Sequence, residues 1–397
     1  MMETFRVAVR KFPPFESAIV KQWHSFAAAS GSKFAIEAVA LDLNPLHAAL
    51  FDRREAAGPD WDLAFLPTDW IAEAQAGGLV ADLRPLMTQR PIPDFPQAWT
   101  PSLLGLQDFA GGIWGMPYHD GPQCLIYRTD LLRDAGIAVP QTWAAFHDAA
   151  RRLHDPAAGR SGTVLALFPD GHNSFYDFCV QLWTRGGAPF DDAGRPQLTT
   201  PAAVAALDFL RRLAADRGAV PADVRAIDSV ASGMRFCAGE VALMANWFGF
   251  AAYAETAADS RVRGRVGIAP LPRGEGGAAV SLNVFWLLCI PAGSRRRDLA
   301  WDFLRHCATP AMDLLTTTEG GIGVRRSTWA DPAVNRSVPF YHELDGLHAV
   351  ARTLPRHPRL SDIAAAIDAM MTQAVTTDAP TASLLATAQA RIAEIVG

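Results

Sequence analysis

Residues Gly115–Leu132 read GMPYHDGPQCLIYRTDLL: two apolar runs suited to buried strands, interrupted by Tyr118, His119, Asp120, Gly121 and Pro122. A segment that only reversed the chain would need the Gly and Pro. It would not also need a phenol, an imidazole and a carboxylate in succession. The stretch therefore reads as a loop that both sets the backbone and presents chemistry.

The surrounding chain alternates short β-branched or apolar runs with amphipathic helical stretches, the pattern of an α/β protein. Phe5–Val9 reads as the first strand, Lys33–Leu41 as the second and Trp61–Leu66 as the third. Pro13 and Pro14 open a helix with Glu16 in its first turn and Phe15, Ile19, Trp23 and Phe26 on one face. Thr142 caps a helix that turns Trp143, Phe146 and Leu153 inward, and Thr200-Pro201 starts another that buries Val204, Leu207, Leu210 and Leu213. Ser294 opens a further helix, and from Ser361 onward an Ala-rich helical stretch buries Ile363, Ile367, Met370 and Met371.

With 397 residues, half of them hydrophobic and 19% charged, the chain suits two lobes with large interiors. No low-complexity linker separates two halves, so the chain is expected to cross between lobes more than once. The net charge of -5 argues against a nucleic-acid partner, which needs a basic face. Cys124, Cys179, Cys237, Cys289 and Cys307 are widely spaced, with no CxxC pair, so neither a zinc site nor a disulfide framework is expected. The longest apolar run, VFWLLCIP at Val284–Pro291, is far too short for a membrane span. The N-terminal MMETFRVAV has neither a basic n-region nor an apolar h-region, which leaves a cytosolic protein and a processed exported one both open.

In open α/β sheets, ligands bind beyond the carboxyl ends of the strands. Arg10, Lys11 and Phe12 follow the first strand, and Thr68, Asp69 and Trp70 follow the third. Tyr118, His119 and Asp120 follow Ile113–Pro117, Asn246 and Trp247 follow Val241–Ala245, Ser281 and Asn283 precede Val284–Ile290, and Arg325 and Arg326 follow a Gly-Gly pair. Flat rings beside short hydrogen-bonding groups suit a carbohydrate, whose C–H face lies on an aromatic ring while its rim of hydroxyls seeks partners. One such face gains roughly 1 kcal/mol by burial, and each paired hydroxyl a net ~0.5–1.5 kcal/mol. Trp23, Trp143 and Trp301 fall on helical stripes and are assigned to the core. Asp69 is equally placed to cap the helix through Ile71–Gln75 or to meet a ligand, and His119 to be a satisfied structural histidine or a ligand contact. The expected ligand contacts are Lys11, Phe12, Asp69, Trp70, Tyr118, His119, Asp120, Asn246, Trp247, Ser281, Asn283 and Arg325, with no catalytic residue, metal or cofactor.

The opening stretch has a further meaning. Gly115-Met116-Pro117, then LIYRTDLLRDAGIAVPQTWAAF at Leu125–Phe146, resembles the signature of the family 1 extracellular solute-binding proteins, the sugar receptors of ABC importers, of which the maltose-binding type is best known. PDWDLAFLPTDWIAEAQAGGLVADLRPL (Pro59–Leu86), FCAGEVALMANWFGF (Phe236–Phe250), VGIAPLPRGEGG (Val266–Gly277) and LAWDFLRHCATPAMDLL resemble further pieces of that pattern, in the family's order. Ser281-Leu282-Asn283 departs from it, standing where a glycine pair is usual.

The resemblance implies a two-lobed periplasmic-binding-protein fold, type II-like, with three inter-lobe crossovers and a central cleft that closes by hinge bending. The crossovers are expected near Tyr118, Ser281–Val284 and Arg325–Pro332, giving residues 1–117 and 283–326 to the N-terminal lobe and 118–282 and 327–397 to the C-terminal lobe. It further implies a monomeric periplasmic receptor for a sugar or polyol, with the membrane permease of an ABC importer as partner. The alternatives are a sugar acid, a polyamine or another charged small molecule in the same fold, and a carbohydrate-active enzyme. Against the enzyme, there is no GxSxG, Walker loop, HExxH or complete GxGxxG, and no carboxylate pair stands out.

Overall fold

Strands form where the apolar runs lie. In the computed structural model, which describes residues 3–397, the strands of the two main sheets are, in chain order, β1 (Thr4–Arg10), β2 (Ala35–Leu41), β3 (Leu63–Pro67), β4 (Met116–His119), β5 (Gln123–Arg128), β6 (Leu243–Trp247), β7 (Val266–Ala269) and β8 (Trp286–Cys289). Helices packed with them include α1 (Pro13–Ser30), α2 (Trp143–Leu153), α3 (Asn173–Trp183), α4 (Pro201–Ala215), α5 (Phe248–Thr256), α6 (Arg297–Cys307), α7 (Pro310–Thr318), α8 (Leu360–Thr376) and α9 (Thr381–Val396). Among the described residues no helix is long and apolar enough to cross a membrane.

The chain divides into two compact units. The first contains the residues up to Gly121, Val284–Asp345 and Arg356–Pro358; the second contains Pro122–Asn283, Gly346–Pro355 and Arg359–Gly397. The expected divisions at 117/118 and 282/283 thus stand at 121/122 and 283/284. The expected last division at 326/327 is displaced by some twenty residues. The reason is a polar network that ties the segment after Arg326 to the first unit: the Tyr341 hydroxyl accepts the Gly323 N–H at 3.0 Å, and the Trp329 indole donates to Gly323 O at 2.7 Å.

The first unit is built on a sheet of order β2-β1-β3-β8-β4. β1 pairs parallel with β2 and β3, whereas β8 runs antiparallel between β3 and β4. The α1 stripe packs as its spacing predicts: Phe15, Ile19, Trp23 and Phe26 are all buried. Phe5 stacks on Trp23 at 4.4 Å, and Phe303 of α6 meets Trp23 edge-on at 4.9 Å. Two prolines start α1 and left-handed Gly31 (φ 73°) ends it.

The second unit has a sheet of order β6-β5-β7, antiparallel throughout. A short parallel pair, Ser281–Leu282 with Ala351–Arg352, forms a separate two-stranded ladder. Thr142 and Thr200 cap α2 and α4 by accepting the N–H of Ala145 and Ala203, each at 3.2 Å. Val204 is only half-buried, and the apolar face of α4 instead rests on Ala203, Leu207, Phe209, Leu210 and Leu213. The C-terminal helical stretch is two helices, α8 and α9, with Ile363, Ile367, Met370 and Met371 buried on the first.

The assignment of Trp23, Trp143 and Trp301 to the interior agrees with the structure. All are buried, and their indoles donate to Phe34 O, Thr184 Oγ1 and Arg90 O respectively. All the cysteines are buried free thiols.

Gly162 shows how closely backbone approaches backbone in the second unit. A Cβ placed there would lie 1.7 Å from Ala150 O of α2, whereas one at Gly105, in a first-unit helix, meets nothing within 4 Å. Gly162→Ala is expected to cost about 3 kcal/mol or more and to lower the melting temperature by roughly 5 °C or more, while Gly105→Ala stays within about 1 kcal/mol of the parent. Thermal denaturation of both variants checks the pair. Equal melting temperatures would refute the close approach.

Candidate functional site

The carboxyl end of the first unit's sheet carries an aromatic surface. β4 ends on His119, which pairs in register with Trp286 at the start of β8. Antiparallel pairing therefore brings the start of β8 to the ends of β3 and β4, and sets Trp286 opposite Pro67 as well. Phe15 of α1 meets His119 at 4.7 Å and Trp286 at 5.9 Å, both edge-on. Phe12 stands half-exposed at the mouth of α1, 5.1 Å from Phe15 and 6.4 Å from His119. Trp70 lies behind Trp286 at 6.4 Å and packs edge-on to His47 and Phe51, which leaves it only 3% exposed. Asp69 is half-buried beside it, and exposed Lys11 forms an ion pair with Asp42 at 3.3 Å.

The second unit carries a smaller ring surface at the end of β6. Trp247 is half-exposed and meets Tyr176 of α3 edge-on at 5.7 Å; His172 meets the same tyrosine at 5.5 Å. Gln123 pairs with Trp247 in register, and the buried Ser281 hydroxyl donates to Gln123 O at 2.5 Å. The Gln123 side chain is 5% exposed and its Oε1 is buried without a hydrogen-bond partner.

The side chains of Tyr118 and Asn246 are hydrogen-bonded inside their own unit, as the cost of burying an unpaired polar group requires, while Asn283 and Asp120 are almost fully enclosed. Tyr118 is buried and donates to Gln22 Oε1 at 2.9 Å; burial holds its phenol well above the usual range. Asn246 donates to Ser229 O at 3.0 Å and accepts the Trp247 N–H at 2.8 Å. Asn283 is 1% exposed, and its main-chain N–H donates to Arg352 O at 2.9 Å. Asp120 is 1% exposed, with its N–H donating to Ile322 O at 3.1 Å.

Arg325 is the clearest departure from expectation. It is 2% exposed, donates to Ala308 O at 2.6 Å and to the Asp94 carboxylate, and lies 4.6 Å over the Trp99 ring. These contacts hold its guanidinium within the first unit. The neighbouring Arg326 is exposed.

Sequence reading passed over Trp286, Phe15, Tyr176, His172 and Gln123. Trp286 sits in a continuous apolar run and reads as interior. The signal available for Gln123 was a buried amide at the start of a strand directly after the YHDGP loop.

Carboxyl groups gather near the start of α3. Asp170 Oδ1 accepts the N–H groups of His172 and Asn173 at 2.9 and 3.0 Å, as an N-terminal carboxylate does. Burial, with Asp170 nearby, pushes the Asp177 carboxyl up to about 8. Asp368 of α8, which accepts the Gly171 N–H at 2.6 Å, is pushed up to about 6, mainly by burial. In the first unit, burial lowers His119 to about 4 against the opposing pull of Asp120.

Comparison with known proteins places the chain in a family. The family model for bacterial extracellular solute-binding protein matches residues 48–313. A probable ABC transporter-binding protein of Deinococcus radiodurans is 27% identical over 264 residues, covering 64% of this chain and 62% of the relative. The chain thus spans less than two thirds of that relative's length. A mannitol-binding protein of Pseudomonas aeruginosa is 25% identical over 346 residues, covering 83% of this chain and 75% of the relative. The solved structure of maltose-bound T. maritima MalE3 superposes with a TM-score of 0.90 at 22% identity over 99% of each chain, so the two share a fold.

The shifted carboxyl of Asp177 makes a signed prediction. Its folded pKa is about 8 against an ordinary aspartate value of 3.8, so the folded state holds a proton that the unfolded state has lost, and stability falls as pH rises through that window. Asp177→Asn removes this loss. Urea unfolding is expected to show the variant gaining on the parent by at least ~1 kcal/mol between pH 5 and pH 8.5. A gap that stays constant or narrows with pH would contradict the assigned shift.

Proposed function

Because this chain belongs to the bacterial extracellular solute-binding protein family, we propose that it is a non-catalytic receptor that binds a small carbohydrate or polyol outside the cytoplasmic membrane and delivers it to the permease of an ABC importer. The observation that carries this reading is the repeated pairing of half-exposed rings with hydrogen-bonding groups at strand ends. Phe12 and Trp286 stand with His119 and Asp69 in one unit, and Trp247 stands with Gln123 in the other. Such rings cover the C–H faces of a sugar or an extended polyol, and the polar groups take its hydroxyls. The mannitol-binding relative supports the polyol branch.

A charged cargo is less well served. The cations that an anionic solute would use are engaged: Arg325 by Asp94 and Ala308 O, Lys11 by Asp42. A sugar acid is thus the weaker reading. Polyamine binding would rest on Asp69 and Asp120, of which Asp120 is almost fully enclosed.

A thermal-shift screen over D-mannitol, ribitol, maltose, D-gluconate and spermidine tests the proposal, since a ligand that binds the folded state raises its melting temperature. A polyol or sugar is expected to give the largest shift. Trp286→Ala and Trp247→Ala are each expected to weaken that ligand about 10- to 100-fold by calorimetry, the loss of a well-packed ring. No shift with any sugar or polyol, or turnover of a glycoside, would overturn the reading.

A further inference from the structure

His119 carries more information than its place on an aromatic surface. Its Nδ1 lies 2.8 Å from the backbone nitrogen of Ile322. A backbone N–H can only donate, so Nδ1 accepts and is unprotonated. A neutral imidazole holds one proton, which must then sit on Nε2. The ring is neutral at physiological pH, because its burial disfavours the cation.

The partner that sets this tautomer is itself fixed. Ile322 O accepts the Asp120 N–H at 3.1 Å, so residues 119–120 and 322 exchange two hydrogen bonds. The turn on either side is pinned as well: Gly321 N donates to Thr316 O at 2.9 Å, and Gly323 N to the Tyr341 hydroxyl at 3.0 Å. Val324 N and Arg325 N both donate to the buried Asp313 carboxylate, at 2.8 and 3.1 Å. A Cβ at Gly321 would press on Thr316 at 2.8 Å, so glycine is what lets the turn come this close. Phe15 and Phe12 flank the imidazole, and Trp286 holds its backbone by strand pairing.

The opposite nitrogen is in a different situation. Among the described residues Nε2 makes no hydrogen bond, and His119 is half-exposed. The result is an oriented N–H donor at the edge of a ring surface.

We propose that His119 is locked in the Nε2–H tautomer and acts as a neutral donor that selects an acceptor oxygen on the bound solute and disfavours an ammonium group at that position. This rests on the carbohydrate or polyol reading for the identity of the solute. A hydroxyl fits the donor because it has lone pairs and an adjacent C–H face for the rings. A carboxylate also accepts, whereas an ammonium has only donors and leaves the N–H unmatched.

Two independent measurements test this. Long-range proton–nitrogen NMR of the imidazole in the ligand-free wild-type protein should show a pyrrole-type Nε2 and a pyridine-type Nδ1 at pH 7. A protonated Nδ1 or an exchange-averaged pair of nitrogens would overturn the proposal. In the second, D-mannitol, ribitol, maltose, D-gluconate and spermidine are titrated into the wild type, His119→Asn and His119→Gln. Asparagine keeps an acceptor near Nδ1 but loses the distal donor, and is expected to bind the preferred polyol or sugar about tenfold more weakly with little change in melting temperature. Glutamine restores an N–H near the Nε2 position and should recover most of that loss. Wild-type affinity in His119→Asn, or spermidine binding that depends on His119, would overturn the proposal. Preference for D-gluconate over D-mannitol would assign the acceptor to a carboxylate. If the wild type binds no sugar or polyol, the functional reading fails and the nitrogen spectrum alone decides the donor assignment. The same spectrum decides it if the variants do not fold.

Discussion

The insertion of β8 between β3 and β4 is the constraint from which the first unit's surface follows. Without Trp286–Cys289 the sheet would be split, with β4 joined to nothing and two ladders of N–H and C=O groups left open. In chain order the strand comes only after the whole stretch Pro122–Asn283, which belongs to the other unit. Its antiparallel direction is what carries Trp286 to the same end as Pro67 and His119. The parallel strands β1 and β3 already end there, so rings from distant segments gather at one sheet edge without any of them being adjacent in sequence.

Around that edge, buried polar groups are matched rather than avoided. Gln22, fully enclosed, donates to Met312 O and Thr316 Oγ1 and accepts from Tyr118. Asp313, equally enclosed, accepts from Val324 N, Arg325 N and the Thr328 hydroxyl. Burial still raises its carboxyl despite these donors, a measure of how costly the enclosed charge is. Such networks are worth little net energy when complete and cost several kcal/mol when broken, so they specify one arrangement of the 321–325 turn. Tyr118 and Arg325, chosen from sequence as ligand contacts, belong to this framework.

The two ring surfaces differ in electrostatic character. The first holds a neutral imidazole whose burial resists protonation, together with an exposed Lys11–Asp42 pair that solvent screens. In the second unit, Asp177 of α3 and Asp368 of α8 are kept protonated to higher pH mainly by burial, with Asp170 adding repulsion to both. Under the receptor reading proposed above, the shared scaffold would leave recognition of the solute to a handful of side chains at strand ends, which the fold alone does not specify.

Local physics was legible in the amino-acid order. The stripe Phe15-Ile19-Trp23-Phe26, the caps Thr142 and Thr200, the paired prolines of α1 and the buried Met370-Met371 face all follow from helical period and backbone chemistry, which depend on near neighbours. The ordered motifs from Pro59 to Leu315 were likewise enough to identify the family. Tertiary structure alone decided which polar residues are available. Tyr118 and His119 are neighbours on one strand, yet alternation turns one to Gln22 and leaves the other half-exposed against Phe15. Trp286, in an unbroken apolar run, reached the surface because antiparallel pairing placed the start of its strand at the sheet's edge. Whether a side chain meets a solute or satisfies its own interior depends on partners tens to hundreds of residues away, and no local pattern encodes those.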